Sequence, residues 1–468
     1  MLLALCPLPA KALEPDEILL LVNQNVAESR SLAEFYCTSR NIPQAHILAL
    51  DLPRGEDIAH SVYRSQVVPR VREFIQKNGL EDKISCIVTF YGTPLRIGAR
   101  QTTEEEKQET AALQTQQKQL LEQVHTILAS AEAEAAEFDK QFHPATGNGW
   151  DQLAPRIDAA ISVLAKRASQ TSDPRARDQR AKALITTIRQ LHGLAGVVKT
   201  INAPPDEIVI HQNPQMTLKE VAEQVRQYNS EAVRLQQEAS TAAIRTRLRE
   251  IAGEAMGSVG LIRMVQSQLE YLSPANSVAA FDSELSLLWW NAYRSSSWLA
   301  NPLFYYYRDR AQINLPRTLM VMRLDAPQAG MVRDIILASL KAERDGLKGQ
   351  VVLDCRGMYP RPGDPNRGYA AYDQSIRNLA TLIATKTKLP MLHDESSTPL
   401  PPGSATNVAL YCGWYSVRNY IPSCRFSLGA VGFHVASFEL ISLKNPQETG
   451  WVRGLLNDSI AATLGSVA

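Results

Sequence analysis

The sequence has almost no net charge. Lys and Arg number 49 against 48 Asp and Glu, a formal +1 over 468 residues, so it carries no electrostatic footprint for nucleic acid or an anionic membrane. Cysteine is scarce. The six are Cys6, Cys37, Cys86, Cys355, Cys412 and Cys424, at spacings that match no zinc pattern, which argues against a thiolate metal centre. Cys412 with Cys424 is the one pair to test as a disulfide. Past the N-terminus, no apolar run reaches the roughly 20 residues of a membrane span, so no span is expected in the mature chain. No motif calls for a metal or a cofactor.

The opening residues, MLLALCPLPAKALEPDE, lack a basic n-region but hold a short apolar stretch and an Ala10-Lys11-Ala12 site of the kind signal peptidases cut. They read as the tail of a secretory signal over residues 1–12 whose start lies upstream, which makes the protein exported, periplasmic or extracellular. The alternative is an untidy soluble N-terminus.

What is present is an ordinary globular composition, 45% hydrophobic and 21% charged, at a length that suggests two or three domains. Residues 13–100 alternate strand and helix patterns. Glu17 to Asn23, His46 to Leu50 and Ile84 to Tyr91 read as strands; Glu28 to Asn41 and Ser65 to Asn78 read as helices. That β-α-β-α-β order predicts a parallel sheet.

The pattern changes near Arg100. From Thr103 to Phe142 there is neither Gly nor Pro, and Thr103 with Glu106 forms a capping box. A second long pattern opens at Thr217, and Asp173-Pro174 starts a helix running through Leu191. Residues 101–275 are therefore expected to be an all-helical insertion, a pair of long helices packed as a hairpin with shorter ones at the tip. A structural appendage is the plainer reading of it, a lid or partner-binding arm the other.

Strand patterns resume in residues 276–468: Arg317 to Leu324, Val351 to Leu353, Met391 onward, and then three apolar runs from Asn407 to the end. The fold class is α/β, a parallel-sheet protein interrupted by the helices. Open sheets of this kind keep ligands at the C-terminal ends of their strands, so the candidate groups are those that follow strands. Asp325, Asp354, Asp394 and Glu395 are such residues, with Tyr91 and Arg96 in the first block and Trp414, Tyr415 and Ser416 in the last. A convergent rim of carboxylates and aromatics could hold a cation or a polyhydroxylated ligand, although Asp is also ordinary in strand-to-helix loops. Asp282 and Glu284 open a short helix, where Asp282 or Ser283 could simply be a cap. His434 and Ser437 stand three apart near one strand end, with Ser416 on the neighbouring loop. A Ser–His acyl-transfer pair is conceivable, but i and i+3 on a strand start on opposite faces, so a bulge would be needed. A lone His in an apolar run is more often a hydrogen-bonded core residue.

Six stretches carry a resemblance: FYGTPLRIG at 90–98, FDSELSLL at 281–288, LKGQVVLDCRG at 347–357, YDQSIRNLATL at 372–382, VALYCGWYS at 408–416 and GAVGFHVASFE at 429–439. On these the chain resembles a family of exported bacterial proteins without an assigned reaction, which implies that it continues briefly beyond Ala468. More distantly, the order of elements is similar to gingipain-type cysteine peptidases. That resemblance implies a caspase-like C-terminal half, with a catalytic His after one strand and a nucleophilic Cys after the next. Here Gly413-Trp414-Tyr415-Ser416 puts Trp414 at the histidine position, and Gly432 to Ser437 holds no Cys. Neither half of the dyad is present. Three functions follow as expectations: a degenerate caspase-like binding or scaffold module with a protein or polysaccharide ligand; a hydrolase using His434 with Ser437 or a strand-end carboxylate; or an assembly protein acting through the helical insertion.

Overall fold

The computed structural model describes residues 12–144, 150–170, 174–202, 242–290, 317–359 and 367–467. The expected signal remnant up to residue 11, and the helical pattern from Thr217 to Ala239, lie outside the described residues. The protein is mixed α/β with parallel sheets and long helices. Among the described residues its contacts separate an α/β unit, up to Gln101, over Ser277–Trp290 and from Arg317 onward, from a helical unit between Thr102 and Asn276.

Among the described residues the α/β unit has eleven strands. β1 (Ile18–Asn23), β2 (Ile47–Leu50), β4 (Cys86–Phe90) and β7 (Met320–Leu324) form a parallel sheet in the order β2-β1-β4-β7. β8 (Gln350–Asp354), β9 (Met391–Asp394), β10 (Ala405–Trp414) and β11 (Cys424–Val435) form a second, in the order β9-β8-β10-β11. β3 (Asp57–Ile58), β5 (Arg96–Ile97) and β6 (Ala279–Ala280) make a small third sheet. Leu19 to Val22 are fully buried because helices cover both faces of a parallel sheet.

Several elements depart from the sequence pattern. β7, which lies in the 276–468 block, pairs with β4 of the first block. The helix after β1 (Ala27–Arg40) stops at Asn41 in the left-handed region, before Ile42-Pro43. The helix expected over Ser65 to Asn78 starts five residues earlier, at His60, and passes through a π-helical stretch, Tyr63–Val67. Pro69 has no N–H, and the Val68 N–H reaches back to the Tyr63 carbonyl instead. The last apolar run forms no strand; it contributes one parallel bridge, Ala462 to Val431. Asp282 caps nothing, since the helix Phe281–Ser286 has no side-chain cap.

Cys412 and Cys424 are both free thiols. Ala405 lies beside Cys424 in the β10–β11 register, so Cys412 is seven residues further along β10, roughly 23 Å away at strand rise.

The helical unit opens with the capping box: Glu106 N–H donates to Thr103 Oγ1 at 3.2 Å, and Thr103 N–H donates to Glu106 Oε2 at 3.1 Å. Four long helices are described: Glu104–Phe138, Trp150–Gln170, Pro174–Asn202 and Ala242–Leu272. The second long helix of the expected hairpin, opening at Thr217, lies outside the described residues. The first helix has two apolar regions, Leu113 packing with Val265 and Leu272, and Val124 to Ala135 packing with Leu153, Ile157 and Leu191. No described helix is long and apolar enough to cross a membrane.

Candidate functional site

In a sheet ordered β9-β8-β10-β11 the chain leaves β8 on one side and returns on the other, which opens a crevice between the C-terminal ends of β8 and β10. Cys355 and Arg356 follow β8 there, and Tyr415 and Ser416 follow β10. The floor is polar and closed. Buried Arg356 donates to the Trp414 carbonyl at 3.1 Å and pairs with Asp354. Asp373, fully buried, accepts from the Arg356 N–H at 2.8 Å, from the Met358 N–H and from Trp414 Nε1. Trp414 is therefore clamped, with 2% of its surface exposed. Burial raises the Asp354 carboxyl, with the Arg356 charge opposing. Gly413 makes room for this arrangement, since a Cβ there would collide with the Tyr411 hydroxyl, which donates to Asp354 at 3.3 Å.

Aromatic rings cover that floor. Tyr369 stacks on Trp414 at 6.0 Å between centroids, Tyr372 lies 5.3 Å from Trp414, and Tyr415 lies 5.2 Å from Trp414 and 5.3 Å from Tyr369. Yet Tyr369, Tyr372 and Tyr415 are 46%, 48% and 53% exposed. Tyr415 holds a φ of 62°, a conformation that costs a non-glycine residue energy and tends to persist where it serves a site. An open cleft of about 460 Å³ is lined by Gly368, Tyr369, Ala371, Tyr372 and Ser375. At its margin the Arg377 guanidinium sits 4.1 Å over the Tyr359 ring and pairs with Glu395 at 3.2 Å.

The Ser–His pair does not form. His434 is 2% exposed and lies flat on Trp451, 3.7 Å between centroids and 5° from parallel. Its Nε2 accepts the Ser416 backbone N–H at 2.9 Å. That acceptor role assigns the proton to Nδ1, which is buried without a partner. Burial, and then the Arg356 charge, pushes the imidazole down to about 3, so it is neutral at physiological pH. Ser416 Oγ donates to the Asn419 carbonyl at 2.9 Å. Ser437 is exposed and has no hydrogen bond among the described residues.

The strand-end carboxylates gather in two pairs rather than one rim: Asp354 lies beside Asp394 in the β8–β9 register, and Asp282 and Asp325 share Arg323. Asp325 accepts from Lys444 at 2.7 Å and from Arg323 at 3.3 Å, while Asp282 takes two Arg323 contacts at 2.8 Å. Glu284 lies on the same short helix as Asp282. Lys444 also sits 3.5 Å over Tyr91, and burial pulls its ammonium below the ordinary value. Arg96 lies in the small sheet, pairing with Asp57 at 2.8 Å. Asp394 accepts from Ser396 at 2.8 Å. Among the described residues no three His, Cys, Asp or Glu side chains gather in a metal-binding group.

Sequence reasoning missed Arg356, Asp373, Tyr369, Tyr372 and one thiol–imidazole contact, Cys355 Sγ to His393 Nε2 at 3.5 Å. Cys355 is fully buried, and burial with the Asp373 charge pushes its thiol up to about 12, the opposite of an activated nucleophile. Tyr369 and Tyr372 did leave a signal, an i, i+3 aromatic pair on one helix face. Comparison with family models, with curated proteins and with solved structures returns no match to this chain.

Proposed function

We propose that this is an exported, non-catalytic binding module of caspase-like, gingipain-related type, whose strand-end site holds a ligand rather than turning one over. The observation that carries the reading is the state of His434. An imidazole that accepts a backbone N–H, stacks on Trp451 and resists protonation down to about pH 3 has its one basic lone pair already engaged and offers none to a serine. The described cysteines, all buried, offer no thiolate in its place. The strand order of the second sheet supports the caspase-like assignment, and the apolar N-terminal residues with their Ala10-Lys11-Ala12 site support export. Association through the helices has less support: among the described residues of the helical unit, Ile185 alone is a large apolar side chain with an exposed surface.

The test is labelling of the purified chain with a fluorophosphonate and with a cysteine-directed acyloxymethyl ketone, beside Ser437→Ala, Cys355→Ala and His434→Gln variants. No labelling above that of heat-denatured protein is expected. Stoichiometric labelling that disappears in Ser437→Ala or Cys355→Ala would overturn the reading and make the protein a hydrolase.

A further inference from the structure

We infer that the Tyr369, Tyr372 and Tyr415 face is a binding site for an uncharged saccharide, stacked through the C–H faces of its rings and held by phenol hydroxyls. This rests on the binding-module reading and names its ligand. Three half-exposed tyrosine rings, each against Trp414 and two of them, Tyr369 and Tyr415, against each other, form a patch of the kind that marks an interaction surface. The platform is rigid before any ligand arrives. Its base, Trp414, is fixed by Asp373, and Asp373 is fixed by two backbone N–H groups, so little ordering would be lost on binding.

The chemistry of the lining selects the ligand. Among the described side chains, those that line the cleft, of Tyr369, Ala371, Tyr372 and Ser375, carry no charge. Among the described side chains the nearby charges are engaged: Arg377 is paired with Glu395 and lies over the Tyr359 ring, and Asp373 is occupied below. Among the described side chains a charged ligand would find no free counter-charge here. The hydroxyls of Tyr369, Tyr372 and Tyr415 make no hydrogen bond among the described residues, so they are available as donors and acceptors. An extended peptide is the poorer fit. β8 and β10 are both interior strands with partners on each side, so no sheet edge is open beside the cleft for main-chain pairing. A ligand with apolar ring faces and hydroxyls at their edges, and no charge, matches what is offered.

Native affinity electrophoresis of the full chain tests this, in gels containing hydroxyethyl cellulose, galactomannan, laminarin or soluble starch. Polygalacturonate gels serve as the charged counterpart and soluble decaproline as a competitor. Retardation in at least one neutral gel is expected, weakened at least about tenfold in Tyr369→Ala/Tyr372→Ala and only a few-fold in Tyr372→Phe, which keeps the ring. Leu382→Ala, an exposed change further along the same helix, should leave retardation unchanged. Circular dichroism of each variant separates lost binding from lost fold.

The inference is overturned if no neutral gel retards the protein, if the double tyrosine variant is retarded like the parent, or if decaproline abolishes retardation. Such a result leaves the non-catalytic reading standing, because that reading fails only on covalent labelling.

Discussion

The two four-stranded parallel sheets repeat one order, second-first-third-fourth, and finish their crevices in opposite ways. In the first sheet the gap between β1 and β4 is closed by Asn23, fully buried, whose amide donates to the Pro53 carbonyl at 2.9 Å and the Gly92 carbonyl at 2.7 Å. Beside it, the end of β7 is filled by buried charge: Arg323 between Asp282 and Asp325, with Lys444 on Asp325. In the second sheet the equivalent gap has a closed polar floor but an aromatic, half-exposed cover. One topology thus gives a locked end and an open one. The difference lies in which side chains follow the strands, which is why fold alone does not assign function.

The largest expected break in that contrast is Arg323→Ala. It leaves the partly buried Asp282 without its cation and buried Asp325 with Lys444 alone, and should cost about 2–5 kcal/mol in urea unfolding. A loss under 1 kcal/mol would show that the first sheet's end is not locked by charge.

Next comes pH. The His434 imidazole is held at about 3 in the folded chain against an ordinary 6.5, so between those values the unfolded chain binds the extra proton. Stability from this group is complete above about pH 6.5 and is lost as pH falls toward 3, at up to about 1.4 kcal/mol per pH unit. Comparing urea midpoints of the parent and His434→Gln across pH 4 to 7 should show a steeper acid decline in the parent. Parallel profiles would mean the imidazole titrates normally.

A smaller effect is expected from Asp373→Ala, about 1–3 kcal/mol, because the Trp414 indole and two backbone N–H groups lose their acceptor. It should also free Trp414, seen as a red-shifted fluorescence maximum, and unchanged emission would argue against the clamp. The smallest is Tyr372→Ala, within about 0.5 kcal/mol by thermal melting, since nearly half of that side chain is already exposed. A large loss there would turn the tyrosine face from a binding surface into part of the core.

Much of the α/β architecture is legible in the sequence. The run Ile18–Asn23 is apolar throughout because both its faces are covered, and Thr103 with Glu106 announces the first long helix as a capping box. Pairing is not legible in the same way: nothing local in Met320–Leu324 says that its neighbour is Cys86–Phe90, more than two hundred residues earlier. The candidate site divides along the same line. Ser416 and His434 do meet, as their strand-end positions suggest, but through a backbone N–H rather than a hydroxyl. The acceptor beneath Trp414 comes from Asp373, forty-one residues away on a helix. Local patterning shows that a residue ends a strand; it does not show which distant group has already satisfied it.

Whether this sheet end binds or catalyses turns on the state of one imidazole. Long-range proton–nitrogen NMR of His434, in protein labelled with nitrogen-15 at histidine, reads tautomer and titration together. The predicted result is a neutral ring carrying its proton on Nδ1, unchanged as pH falls from 8 to 4. A ring protonated on Nε2, or one that titrates near 6.5, would free a nitrogen for base chemistry and contradict the reading of this sheet end as a site that binds without catalysing.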